Sequence, residues 1–253
     1  MTSFLSSIGK KKQQTPEQLV ISWKASVLAI VRHHELTPPD ETSHDSSLHS
    51  CTFGDAATNG AAAGSCVANE SEKISKSLTA IKILLGITTS DCIVDQERAV
   101  DVSQCIQSEG IFALCLAPDC MLHLSVDIRK DVAAVFSHLL RKDVANFVAH
   151  LSSDTRVIDL LVQSFSQPYA LTCSPMLREV VRLEQFHRYV LFSEGVWRFF
   201  DEYVLLPHFE VAAAAFDQLR DLLSTGRGAS SPAVQFMETH VVKLIDKLNV
   251  STL

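Results

Sequence analysis

Apolar residues recur at every third or fourth position through most of the chain, and from Ser71 onward no segment shows convincing alternation of apolar and polar residues. That spacing lines one face of an α-helix, whereas a half-buried strand needs a period of two. The chain must therefore bury helices against helices. Thr15-Pro16-Glu17-Gln18 reads as a helix start, with Thr15 as N-cap, Pro16 at the first helical position and Gln18 closing a capping box. Leu19, Val20, Trp23, Val27, Leu28 and Val31 follow at helical spacing, and Pro38-Pro39 ends the run. Ser71 to Leu85 is a second helix stopped by Gly86, and Asp91 to Glu109 a third stopped by Gly110. Helical patches continue over 111–124, 127–142, 143–152, 154–166, 168–183, 185–193, 194–205, 208–224 and 231–249, punctuated by Pro118, Pro168, Pro207 and Pro232. The fold class expected is all-α.

Between Asp40 and Glu70 the composition changes sharply to Ser, Thr, Asn, Gly and Ala, with Phe53 as the only aromatic. Such a stretch lacks the apolar surface to offset its ordering entropy. The organisation expected is a disordered N-terminus over 1–14, a first helix over 15–39, a disordered insertion over 40–70 and a helical-repeat domain over 71–253. Ser43, Ser46, Ser47 and Ser50 in the insertion read as solubilising hydroxyls.

The 253 residues include 22 Lys and Arg against 29 Asp and Glu, a net charge of −7. The largest basic cluster, Lys10-Lys11-Lys12, is too small to hold nucleic acid at physiological salt. No stretch approaches the ~18 apolar residues of a membrane helix, and Met1 to Gly9 lacks the pattern of a signal peptide. The seven cysteines are odd in number and scattered through apolar segments, which suits reduced, buried thiols in the cytoplasm.

The chemistry-bearing patterns are sparse. No glycine loop for phosphate, no nucleophile elbow and no His-Glu-x-x-His pair occurs. Cys115, Cys120 and His123 have metal-like spacing but lack a fourth ligand, so two buried thiols flanking a turn are the simpler reading. Glu179/Glu184 and Asp217/Asp221 sit beside Arg178, Arg182 and Arg220, which favours ion pairing over acid–base work. No catalytic residue, metal, cofactor or small-molecule substrate is expected.

A repeat shows faintly. Val132-Ala133-Ala134-Val135-Phe136 with Leu139 and Leu140 echoes Val211-Ala212-Ala213-Ala214-Ala215-Phe216 with Leu219, the two valines lying 79 positions apart. That is about two periods of an armadillo or HEAT array, with the block from Cys173 to Val181 in the middle slot. A plain helical bundle would also use alanine stripes, so periodicity leaves both architectures open. His208 to Ser224 is the clearest amphipath, with Phe209, Ala212, Ala213, Phe216, Leu219 and Leu223 in one stripe, and the core expected includes Phe136, Leu139, Met176, Leu177, Phe199, Phe216 and Leu219. In the last helix, Val234, Met237, Val241, Leu244, Ile245 and Leu248 form the packing face. Phe236 and Val242 are left partly exposed there as an apolar patch at the C-terminal edge.

Five blocks in order resemble the calcium-binding protein 39 (mouse protein 25) family of kinase-activating scaffolds. They are Thr15-Pro16-x-x-Leu19-Val20, Ile74-Ser75-Lys76-Ser77-Leu78, Lys130-Asp131-Val132-Ala133, Met176-Leu177-Arg178-Glu179, and Phe192-Ser193-Glu194 followed by Phe209-Glu210-Val211-Ala212. The resemblance implies an armadillo/HEAT-like α-solenoid, a curved superhelix without catalytic activity. Its concave face would cradle a protein kinase or pseudokinase of the germinal-centre class in the active arrangement. It carries over one partner-binding residue, Phe209, which the residue pattern alone would equally place first in the buried 208–224 stripe. The family's pocket for a Trp-Glu-Phe tail lies in repeats beyond Leu253, so none of its residues is carried over, and with no EF-hand loop present calcium is not expected.

Overall fold

A computed structural model describes residues 14–36, 61–87, 95–224 and 231–250. Among them the chain forms α1 (Pro16–Leu36), α2 (Ala61–Leu84), α3 (Gln96–Ser108), α4 (Ile111–Leu116), α5 (Pro118–Met121), α6 (Val126–Lys142), α7 (Phe147–Ser153), α8 (Arg156–Gln163), α9 (Ala170–Val180), α10 (Glu184–Phe192), α11 (Gly195–Asp201), α12 (Phe209–Ser224) and α13 (Pro232–Val250). Short 3-10 turns at Ser164–Ser166 and Tyr203–Leu205 lead into α9 and α12.

The helix boundaries follow from local chemistry. The capping box closes as its sequence predicts: Thr15 N–H donates to Gln18 Oε1 at 3.1 Å, and Gln18 N–H donates to Thr15 Oγ1 at 3.3 Å. Asp95, Ser125 and Ser231 cap α3, α6 and α13 by accepting from the backbone N–H three residues on. Gly86 and Gly110 take φ of 72° and 61°, the left-handed conformation that ends the preceding helices without a Cβ penalty. Between α6 and α7, Asp143, Ala145 and Asn146 adopt the same conformation with a Cβ, at φ of 47°, 55° and 57°. The neighbouring helix holds this strained corner in place. Ser103 Oγ donates to Val144 O at 2.9 Å and Gln107 Nε2 to Ala145 O at 3.2 Å.

From α6 onward, helices three apart in sequence stack side by side, and the earlier helices join the same rows. α1 packs on α2, α2 on α6, α6 on α9, and α9 on α12, while α4, α8 and α11 form a second row and α10 meets α13. The chain is an α-solenoid of three-helix, armadillo-like repeats, and α9 fills the middle slot despite Pro175. Phe112, Phe136 and Phe147 meet edge to face at centroid distances of 5.1–5.6 Å, with Trp23 joining through Phe112. A second cluster of Phe165, Phe199 and Tyr203 fills the following repeat. Phe136, Leu139, Met176, Leu177, Phe199 and Leu219 are buried as expected.

Phe216 is not: it is 59% exposed, and Ala215 holds the core position. The α12 copy carries one more residue before its phenylalanine than the α6 copy, so only a constant offset of 79 matches burial. Phe136 then corresponds to Ala215, Leu139 to Gln218 and Leu140 to Leu219, all buried. One extra residue turns Phe216 by about 100° away from the core. Phe236 also departs from expectation and is fully buried, packed against Trp197 at 5.4 Å and Phe192 at 5.8 Å. A kink at His240 (φ −117°, ψ 20°) breaks the register of α13. The expected face of α13 divides accordingly: Leu244 is buried, and Met237, Val241 and Ile245 are exposed together with Val242.

Helix α2 starts at Ala61, inside the stretch expected to be disordered, where Ala61-Ala62-Ala63 supplies the strongest helix-forming residue three times over. The rest of that stretch, with Ser43, Ser46, Ser47 and Ser50, and residues 1–13 lie outside the described residues.

Phe136→Ala should cost ~3–5 kcal/mol of stability, whereas Phe216→Ala should leave the thermal midpoint unchanged within about 1 °C, both read by calorimetry. Gln218 is fully buried with neither side-chain Oε1 nor Nε2 hydrogen-bonded, so Gln218→Met should raise stability by ~1–2 kcal/mol in urea unfolding.

Candidate functional site

The site sits where the Tyr203–Leu205 turn launches α12. Tyr203 stacks on Phe165 (centroids 5.7 Å apart, planes 26°), meets Phe199 edge-on at 5.1 Å, and is covered by the Arg198 guanidinium at 5.1 Å. Burial pushes its phenol up to about 12, so the ring serves as a neutral anchor. With the turn fixed, Phe209 stands first in α12 and projects outward, 84% exposed. Phe216, two helical turns further on, shares that side of the helix. A groove of about 570 Å³ opens beside Phe209, walled by Phe165, Pro168 and Leu171 from the α9 corner and Leu206, Phe209 and Val211 from the α12 corner. Ser166, Gln167, His208 and Glu210 give it a polar margin.

Charges flank this apolar side and largely neutralise one another. Arg178 of α9 lies 3.3 Å from Asp221 and 4.0 Å from Asp217, and Arg220 sits 3.0 Å from Asp217 and 3.6 Å from Asp221. Arg182 holds Glu179 at 3.0 Å. These carboxylates are ion-paired, as their arginine neighbours in the sequence suggest. Each pair is partly solvated and contributes little singly, but Arg178 clamps α12 to α9. Glu184 stands apart at the start of α10. The side of α12 that carries Phe209 therefore offers apolar surface beside a self-compensated charge cluster.

Three of the described cysteines are buried and held as thiols or sealed from solvent. Cys115 and Cys120 are completely buried, and the hydrogen bond that the Cys115 thiol donates to Cys120, together with desolvation, pushes Cys115 well up. Burial pushes Cys173 up to about 11. Protonated thiols are poor nucleophiles and poor metal ligands, and among the described residues no group of three His, Cys, Asp or Glu could hold a metal. Also among the described residues, no helix is long and apolar enough to cross a membrane. Cys51 and Cys92, with the Cys66 side chain, lie outside them.

Three positioning residues carry no sequence signal. His187, buried in α10, makes a 2.7 Å hydrogen bond through Nε2 to Leu222 O and so satisfies a carbonyl in the last turn of α12. Arg129 donates to Leu124 O at 2.8 Å and Leu122 O at 2.9 Å and lies over the Tyr169 ring at 5.9 Å, joining the α6 corner to the α9 corner. Lys82 of α2 pairs with Asp131 of α6 at 2.6 Å.

Iodoacetamide at pH 8 should leave Cys115, Cys120 and Cys173 unmodified in the folded chain and alkylate all three in 6 M guanidinium, read by peptide mass spectrometry.

A sequence profile described as Mo25-like matches residues 8–252. Calcium-binding protein 39-like from Mus musculus is 35% identical over 159 residues, 61% of this chain and 46% of that protein. MO25-like protein 2 from Caenorhabditis elegans is 39% identical over 102 residues, 39% of this chain and 30% of that protein. The Mo25-like protein of Schizosaccharomyces pombe is 28% identical over 174 residues, 67% of this chain and 50% of that protein. The chain thus spans half or less of the length of these relatives. Because the profile runs across the stacked helices from α1 to α13, the chain belongs to the Mo25-like family.

Proposed function

We propose that this chain is a non-enzymatic scaffold that binds a protein kinase or pseudokinase of the germinal-centre class and stabilises its active conformation. The observation that carries the reading is Phe209, a large aromatic held 84% exposed at a rigid corner beside an apolar groove, on a member of the Mo25-like family. A single exposed phenylalanine is ordinary, but a fixed one beside a concavity has the form of an interface anchor. Phe216 extends the same surface along α12. The chain acts in the cytoplasm and needs neither cofactor nor metal.

Such a scaffold works by differential affinity. A kinase whose active arrangement is rare is shifted only as far as the scaffold binds that arrangement more tightly, and ~5.5 kcal/mol of preference turns a 1:99 population into 99:1. Preorganisation serves this end, because a surface that is already rigid spends little binding energy on ordering itself.

A second reading, a helical-repeat adaptor that binds partners without activating a kinase, draws on the same exposed Phe209 and apolar groove, which hold any apolar partner equally well. The two separate in one assay. Purified germinal-centre-class kinases are titrated with the chain while binding and phosphotransfer are measured together. Stimulation that drops at least tenfold in Phe209→Ser, with the thermal midpoint unchanged, is expected; binding without stimulation selects the adaptor, and no binding to any such kinase overturns the proposal.

A further inference from the structure

Three equivalent corners of the solenoid each leave an apolar side chain in solvent. Leu122 and Val126 do so at the start of α6, Leu171 at the start of α9, and Leu205 and Phe209 at the start of α12. Apart from Phe209, these residues are 44–64% exposed. The corners are contiguous. Arg129 bridges the first two by reaching from the Leu122 and Leu124 carbonyls to the face of Tyr169, and the groove between Leu171 and Phe209 joins the second to the third. The apolar residues thus form a rim that crosses the N-terminal ends of three stacked helices, with one step per repeat.

Packed helices lie ~8–10 Å apart. A polyproline-II segment has three residues per turn and rises ~3.1 Å per residue, so it presents the same side every ~9 Å, in step with the rim. A β-strand repeats its side every two residues and falls out of step. Phe209, exposed beside Pro168 and Leu171, gives the groove an aromatic wall of the kind on which such segments dock. The charge of the rim is acidic: Asp119, Asp127 and Glu210 are exposed along it. Of the nearby cations, Arg129 is turned onto carbonyls and a ring, and Lys130 stands one turn along α6.

We propose that this rim binds a polyproline-II segment of the partner protein, carrying apolar side chains at every third residue and flanked by Lys or Arg. The inference rests on the scaffold reading, since it shares Phe209 and names the partner segment that the site grips.

The test uses the full chain and a fluorescein-labelled peptide, Lys-Arg-Leu-Pro-Ser-Leu-Pro-Ser-Leu-Lys-Arg, read by anisotropy. Saturable binding is expected, weakened at least tenfold by Val126→Asp and by Leu171→Asp. A peptide with its three leucines adjacent, or one with Glu in place of the basic flanks, should also bind at least tenfold more weakly. Glu210→Lys should restore part of the affinity for the Glu-flanked peptide, a gain that misfolding cannot produce. Equal binding by the scrambled peptide, or wild-type binding by both Asp variants, overturns the rim. Kinase stimulation without peptide binding also overturns the rim and leaves the scaffold reading standing, while peptide binding with no kinase response supports the rim and sinks the scaffold.

Discussion

Each repeat holds its shape because a helix of one repeat lies against the equivalent helix of the next. No three-helix unit of about 40 residues can bury its own apolar face, and the α6–α9–α12 row solves this by making every helix the lid of its predecessor. Packing, not polar contact, supplies most of the energy. Phe136, Leu139, Met176 and Leu177 are wholly buried along that row, while the Lys82–Asp131 and Arg178–Asp221 pairs at its edges are partly solvated and set register.

The same packing decides what is left for a partner. A side chain on the α12 face that packs is committed to the array, so a binding residue must lie at a corner or on the remaining surface. Phe209 sits at both, four residues past the Tyr203–Leu205 turn. Rigidity here is a by-product of stability: the aromatic cluster that fills the repeat also aims the exposed ring.

How far the sequence was legible depended on the range of the interaction concerned. The Thr15/Gln18 capping box and the glycine stops at 86 and 110 rest on chemistry within four residues and appear where the sequence places them, whereas α2 starts ten residues before the expected Ser71. Phe216 was misread because it lies in register with Phe209 on one apolar stripe, whereas the buried side of α12 is centred on Ala215, Gln218, Leu219 and Leu222. The core selects by angle around the helix, and a single inserted alanine outweighs a matching side chain. Phe236 was misread because its burial depends on Trp197 and Phe192 and on a break at His240, none of which a regular period encodes. His187 meeting Leu222, and Arg129 meeting Tyr169, join residues 35 and 40 positions apart, beyond any local pattern. Whether Phe209 was core or surface stayed open in the sequence because it begins its helix, where the apolar stripe has no preceding turn to fix its phase.

The orphaned amide of Gln218 has a mechanical consequence. In an array where units touch only their neighbours, strength is set junction by junction, and the chain opens at whichever seam is poorest. Gln218 stands where the α6 copy has Leu139, so the seam around α12 carries an unsatisfied dipole in place of an aliphatic contact. The Phe112–Phe136–Phe147 seam is close-packed aromatic throughout. The seam on the Gln218 side of α12 should therefore part before the aromatic one, while the Phe165–Phe199–Tyr203 cluster keeps hold of the turn before Phe209.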